Sequence, residues 1–155
     1  NPDRRILISG DALWRDGFGI LFAEVMGQGD ALGEARRTLE AIGRLAVDAV
    51  IPGHGAPFAE FDDALERAFA RLRAFEDDGA RMARNAIRAC ITFKLLEVRS
   101  MALVELPRHL DETPLYRTAN ARFLGLDADA LAAWLVKELE RAGVARREHG
   151  MLVAS

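Results

Sequence analysis

The sequence predicts a mixed α/β chain: one strand–helix–strand unit, then a mainly helical segment that closes on a hairpin. Three observations predict it. Arg5-Ile6-Leu7-Ile8-Ser9 and Ala49-Val50-Ile51 are apolar runs of strand length, each stopped by Gly or Pro. Between them Ala35, Leu39, Ile42 and Leu45 recur three or four residues apart, the spacing of one helix face. From Phe61 onward the apolar spacing is helical, and strand patterns return only at the end. With 155 residues, 50% of them hydrophobic, there is enough apolar surface for one domain or two small ones. The change of pattern divides them at 1–60 and 61–155.

Taken in order, Asn1-Pro2-Asp3 reads as a turn. The first strand, 5–9, has an unbroken apolar run that suits burial on both faces, as in a parallel sheet. The stretch 14–29 has no clean period and holds glycines at 17, 19, 27 and 29. It exposes an apolar cluster, Phe18, Ile20, Leu21 and Phe22, shortly after Asp11. Two readings stand side by side: a loop that lines a substrate pocket with Phe18 and Phe22, or an apolar loop packed beneath further protein. Asp30 caps a helix running to about Ala46, with Arg36, Arg37, Glu40 and Arg44 on its wet face. Val47-Asp48 closes it before the second strand, 49–51, which Pro52 ends by offering no ladder donor. Glycines on either side of His54 permit a tight turn that projects the imidazole outward.

Phe61, Leu65, Phe69, Leu72 and Phe75 form one stripe of a helix capped by Asp62 or Asp63 and ended by Gly79. A second helix, 80–98, carries Ile87, Ile91 and Leu95 on one face, with Cys90 beside them. That Cys reads as a small buried hydrophobe, because no His or Lys is placed by sequence to activate it. Thr113 caps a short helix over 113–123 with Pro114 at its first position. Gly125-Leu126-Asp127 is a turn, and a longer helix over 129–142 buries Leu131, Leu135 and Leu139 with Trp134 alongside. Gly143 stops it. Residues 144–148, the turn His149-Gly150 and residues 151–154 read as a hairpin.

Composition bounds the function. A net charge of −3 argues against a general polyanion binder, and neither half of the chain is a basic patch. No signal peptide is seen in these residues, and no apolar run is long enough to cross a membrane. One Cys excludes an internal disulfide and agrees with a reducing cytoplasm.

The chemistry lies where the two strands end. A βαβ crossover is right-handed and leaves its strands parallel. Both then finish at one sheet edge, where ligand sites form. Asp11 and His54 are therefore expected side by side, although far apart in sequence. Carboxylate and neutral imidazole are both metal donors, and a catalytic zinc takes three protein ligands plus water. The pair amounts to half a site. Taken singly, Gly-Asp after a strand and a His in a glycine loop are commonplace; together in a βαβ context they point to a metal. His109 and His149 fall in turns and are assigned to solvent, and Asp16 sits away from a strand end.

Ser9-Gly10-Asp11-Ala12-Leu13 followed by Pro52-Gly53-His54-Gly55 resembles the last two metal-ligand motifs of the metallo-β-lactamase fold hydrolases, with a similar helix-filled interval. The resemblance implies that Asp11 bridges two metal ions, zinc in both positions, and that His54 belongs to one of them. The family's first motif, H-x-H-x-D-H, is absent: the histidines are His54, His109 and His149. Helix, turn, helix, hairpin is the order of a winged helix, and the last forty or so residues resemble the C-terminal domain of some of these hydrolases. The implied fold is the βαβ half of an αββα sandwich, then a helical segment ending in a winged helix. A DNA-reading helix needs Arg, Lys, Asn or Gln at base edges. Here Asp127, Asp129, Glu138 and Glu140 outnumber Lys137 and Arg141, so a packing or interface role is favoured over nucleic acid. Arg117, Arg122, Arg146 and Arg147 are the cations able to touch phosphate.

The implied activity is metal-dependent hydrolysis of an ester, thioester, amide or phosphodiester in a small-molecule substrate. These residues alone are not expected to be competent without the H-x-H-x-D-H half. A nuclease of the same superfamily and a non-catalytic interaction module are the alternatives. Strands apolar on both faces, plus the stretch at 18–22, imply more bare apolar surface than a soluble monomer tolerates. A homodimer, or a complex with the missing N-terminal half-domain, is expected, with Ile6, Ile8, Phe18, Leu21 and Phe22 near the covered surface.

Overall fold

Arg5 and Asp48 start the two strands of the first sheet together. The Arg5 guanidinium donates to both Asp48 carboxylate oxygens, at 2.6 and 3.2 Å, and its backbone N–H donates to the same group at 3.0 Å. In a computed structural model that describes residues 5–155, β1 (Ile6–Gly10) follows, then short α1 (Phe22–Met26), α2 (Ala31–Ile42), β2 (Ala49–Pro52) and α3 (Phe61–Asp77). The turn read at Asn1-Pro2-Asp3 lies outside the described residues. β1 and β2 are parallel, pairing Ile6 with Ala49, Leu7 with Val50 and Ile8 with Ile51 before a one-residue irregularity brings Gly10 opposite Pro52. On its other side β2 is bridged at Val50 by Phe58.

This sheet is covered on one face, not two. Val50 and Ser9 are buried, while Ile8 is 78% exposed and Ile6 and Ile51 are exposed beside it. The register puts Ile6, Ile8 and Ile51 on one face and Leu7 and Val50 on the other. Helices cover only the second face. Phe18 also departs from expectation: it is 2% exposed, set edge-on against Phe75 at 6.1 Å and beneath the Arg71 guanidinium. Burial on α3 removes it from the bare surface, whereas Phe22 stays exposed. α2 ends at Ile42 rather than Ala46, and Leu45 is exposed past its end. The Asp30 cap forms, its carboxylate accepting from the Gly33 N–H at 2.9 Å. α3 starts one residue after Glu60 without a side-chain cap, and buries Ala64 and Ala68 between Phe61, Leu72 and Phe75. Leu65 and Phe69 flank that seam, half-buried. Small residues at its centre suit close approach to α2, which Arg36 fastens to Glu76 of α3.

Contacts divide the chain after Asp78, so α3 groups with the strands, whereas the pattern change suggested a division at residue 60. The second unit begins with α4 (Gly79–Val98) and continues through β3 (Ser100–Ala102), one 3-10 turn, α5 (Leu106–Glu112), α6 (Pro114–Ala119), a π turn (Asn120–Leu124), α7 (Ala128–Arg141), β4 (Ala145–Glu148) and β5 (Met151–Ala154). Gly79 opens a helix instead of ending one, and it lies against the Phe123 ring, where a Cβ would come within 2.7 Å of two ring carbons. Ile87, Ile91 and Leu95 of α4 and Leu131, Leu135 and Leu139 of α7 are six of the nine large side chains this unit buries fully. Cys90 is half-buried among them. Asp127 caps α7 by accepting from the Ala130 N–H at 2.7 Å. β4 and β5 form the expected hairpin through His149 and Gly150, both at positive φ as a two-residue I′ turn requires. β3 joins the other side of β5, giving an antiparallel sheet ordered β3-β5-β4. His109 is not in a turn: it belongs to α5 and packs on Tyr116, ring centroids 5.7 Å apart. Among the described residues no helix is long and apolar enough to cross a membrane.

Candidate metal centre

β1 and β2 end beside each other, and the residues just past their ends meet. His54 Nε2 lies 3.9 Å from Asp11 Oδ1, both side chains open to solvent. Gly53 makes this approach possible. Its N–H donates to the Gly10 carbonyl at 2.8 Å, and a Cβ there would fall 2.9 Å from Asp11 Oδ1 and 3.0 Å from the Gly10 carbonyl carbon. Any side chain at 53 would force the carboxylate or the strand end aside. Asp11 is held from the other side as well, since Gly19 donates its N–H to the Asp11 carbonyl at 2.8 Å.

Trp14 completes the surround. Its indole N–H donates to the Gly10 carbonyl at 3.1 Å, and its ring meets the His54 imidazole edge-on at 5.1 Å. Sequence reasoning left Trp14 inside an unpatterned stretch. The one signal available was its place three residues after Asp11. Asp16 stands apart, exposed and near Arg67 at 3.7 Å.

The two donors suit a divalent cation. Bonds of about 2.0–2.2 Å from a carboxylate oxygen and an imidazole nitrogen can together span the gap between them. Among the described residues no group of three or more His, Cys, Asp or Glu gathers where it could hold a metal, and Asp11 and His54 stand as a pair. His109 and His149 belong to the second unit.

A groove of about 330 Å³ opens beside Asp11. Phe18 to Ala23 form one wall, and Ala31, Glu34, Ala35 and Thr38 of α2 form the other. Phe18 and Phe22 thus both reach it, Phe18 as a fixed wall and Phe22 at the rim. The α2 contribution was not foreseen, because Ala35 counted only as one position of an apolar helix face.

Three of the four cations considered for phosphate contact in the second unit, Arg122, Arg146 and Arg147, are engaged elsewhere. Arg147 donates to both carboxylate oxygens of Glu140 at 2.8 and 2.9 Å, which holds the Glu140 carboxyl below its usual range. Arg146 donates to Glu148 at 3.2 Å, and Arg122 lies over the Phe123 ring. No protein-family model matches this chain, and no curated protein matches it.

Proposed function

We propose that this chain carries part of the metal centre of a metallo-β-lactamase fold hydrolase acting on an ester, thioester, amide or related bond. Asp11 and His54 would hold zinc, and an H-x-H-x-D-H segment, which this sequence lacks, would supply the other ligands. The observation that carries it is the approach of His54 Nε2 to Asp11 Oδ1, 3.9 Å, past the ends of two parallel strands joined by a helix. Zinc supplies Lewis acidity, polarising a carbonyl oxygen and lowering the pKa of water. What these residues contribute is position. Gly53 and Gly19 hold Asp11, and Trp14 fixes one flank of the imidazole.

The bare face of Ile6, Ile8 and Ile51 belongs to the same proposal. An apolar sheet face of this kind is usually covered by a partner, here a second copy or the other half of an αββα sandwich. The second unit is proposed as a winged helix. Its element order and its sheet order β3-β5-β4 support that. Packing or interface work suits it better than nucleic acid, given the ion pairs of Arg146 and Arg147. The unpaired Cys90 supports a cytoplasmic setting.

Calorimetric zinc titration, combined with a panel of thioesters and lactones, tests the proposal. Weak zinc binding lost in Asp11→Ala and in His54→Ala, with no turnover, is the expected result. Turnover abolished by Asp11→Ala would mean that the site is complete as it stands.

A further inference from the structure

We infer that the groove beside Asp11 takes an uncharged apolar arm of the substrate, a medium-chain acyl or aryl group, and rejects anionic ones. This rests on the proposed hydrolytic role of Asp11 for its orientation. Size comes first. At about 330 Å³ the groove lies at the low end of small-molecule pockets, which run from about 300 to 1,000 Å³. One ring or one acyl chain fits such a space, and a polymer strand does not.

Lining comes second. Ala31 and Ala35 leave room on the α2 side, and Phe18 backs the other side without freedom to move away, being wedged on Phe75. The polar groups are Asp11, Glu34 and Thr38. Thr38 donates its hydroxyl to the Glu34 carbonyl at 2.9 Å, so its proton is already used within the helix. With Asp11 committed to the proposed cation, the Glu34 carboxylate sets the charge of the groove, and among the described residues no Lys or Arg lines it. A carboxylate or phosphate on the incoming group would meet like charge. A neutral one would not.

Continuity with the metal-competent pair comes third. The Gly19 N–H ties the wall to Asp11 itself, and a Cβ on Gly19 would lie 2.9 Å from Asp11 Cβ. An arm seated between Phe22 and Ala35 therefore has its head end at Asp11.

The test uses the full chain with methyl-labelled alanine and isoleucine, titrated with octanamide and with octanoate while NMR spectra are recorded. Octanamide should move the Ala23, Ala31 and Ala35 methyls saturably, and octanoate should bind at least about tenfold more weakly. Ala35→Leu, which fills the groove, should abolish binding, and Phe22→Ala should weaken it several-fold. Absent saturation, equal binding of octanoate, or shifts confined to the Ile8 and Ile51 methyls would overturn the inference. A parallel zinc titration separates the two failures. If zinc moves His54 but octanamide does not bind, the groove assignment falls alone. If octanamide binds in the groove but zinc leaves His54 unmoved, the metal role falls and the ligand class of the groove stands.

Discussion

In the unit ending at Asp78, Leu13, Leu39 and Leu72 are the large aliphatic side chains sealed from solvent. The unit from Gly79 seals nine, among them Ile87, Ile91, Leu135 and Leu152, so its core closes on itself. The first unit instead spends two strands on an edge: one sheet face is bare, and the two metal-competent side chains stand past the strand ends. Its core leans on buried rings, Phe18, Phe58, Phe61 and Phe75, and its strand ends leave no room for a side chain at Gly53 beside Asp11. Similar chain lengths have thus been put to different ends, one to packing and one to presenting a site.

The sharpest way to break this comparison is to remove apolar volume from each unit. Leu139→Ala should cost the second unit about 2–5 kcal/mol, read from Trp134 fluorescence in urea with Trp14 replaced by Phe. Ile8→Ser should change the stability of the first unit by no more than about 0.5 kcal/mol in dilute solution. It should also dissociate the proposed dimer in sedimentation. Equal costs at the two positions would erase the contrast.

Gly53→Ala comes next, at about 1–3 kcal/mol for overpacking between Gly10 and Asp11. Trp14 fluorescence reads it, and zinc affinity should fall with it. A silent Gly53→Ala would mean that the strand ends do leave room for a side chain there.

A third prediction uses the sole tyrosine, Tyr116, in the second unit. Burial, and then Cys90, push its phenol from about 10 up to about 12. A raised folded-state pKa adds stability that is fully present below the unfolded value and is lost as pH rises through the folded one. The second unit should weaken between about pH 10 and 12, with the phenolate absorbance appearing late. A phenol titrating at its ordinary value would show a looser core.

The smallest effect is expected at the surface. Its hydrogen bond from Arg147 lowers the Glu140 pKa, so that contribution is present above the unfolded value and fades as pH falls through the folded one. Because the pair is exposed, Glu140→Gln should barely shift the urea midpoint, and less in high salt. A large shift would make charge, not packing, the organiser of the second unit.

The legible parts of this chain were those that local pattern dictates. Two apolar runs around a helical spacing force a right-handed crossover, and that alone predicts Asp11 beside His54. The Asp30 cap before α2 was equally plain, whereas the cap expected from Asp62 or Asp63 falls inside α3 and Thr113 makes no side-chain cap bond. Three features escaped because tertiary contact decides them. Phe18 sits in an unpatterned stretch, and only the Phe75 ring on α3 shows that it is core. Gly79 looked like a stop, yet the Phe123 ring needs its missing Cβ. β3 and α5 are too short, at three and seven residues, to carry a period. The bare face of β1 was legible as well, for Ile6 and Ile8 were expected to need cover and both are exposed. An unbroken apolar run says that both faces avoid water, not that this chain covers both.

The most direct test is whether Asp11 and His54 act on one cation. Histidine side-chain NMR during zinc titration of the full chain follows His54, His109 and His149 at once. The expected result is a saturable shift of the His54 Nε2 resonance, accompanied by quenching of Trp14. The shift should be lost in Asp11→Ala, while His109 and His149 stay in place. A His54 resonance that ignores zinc, or that responds equally in Asp11→Ala, would contradict a shared metal site.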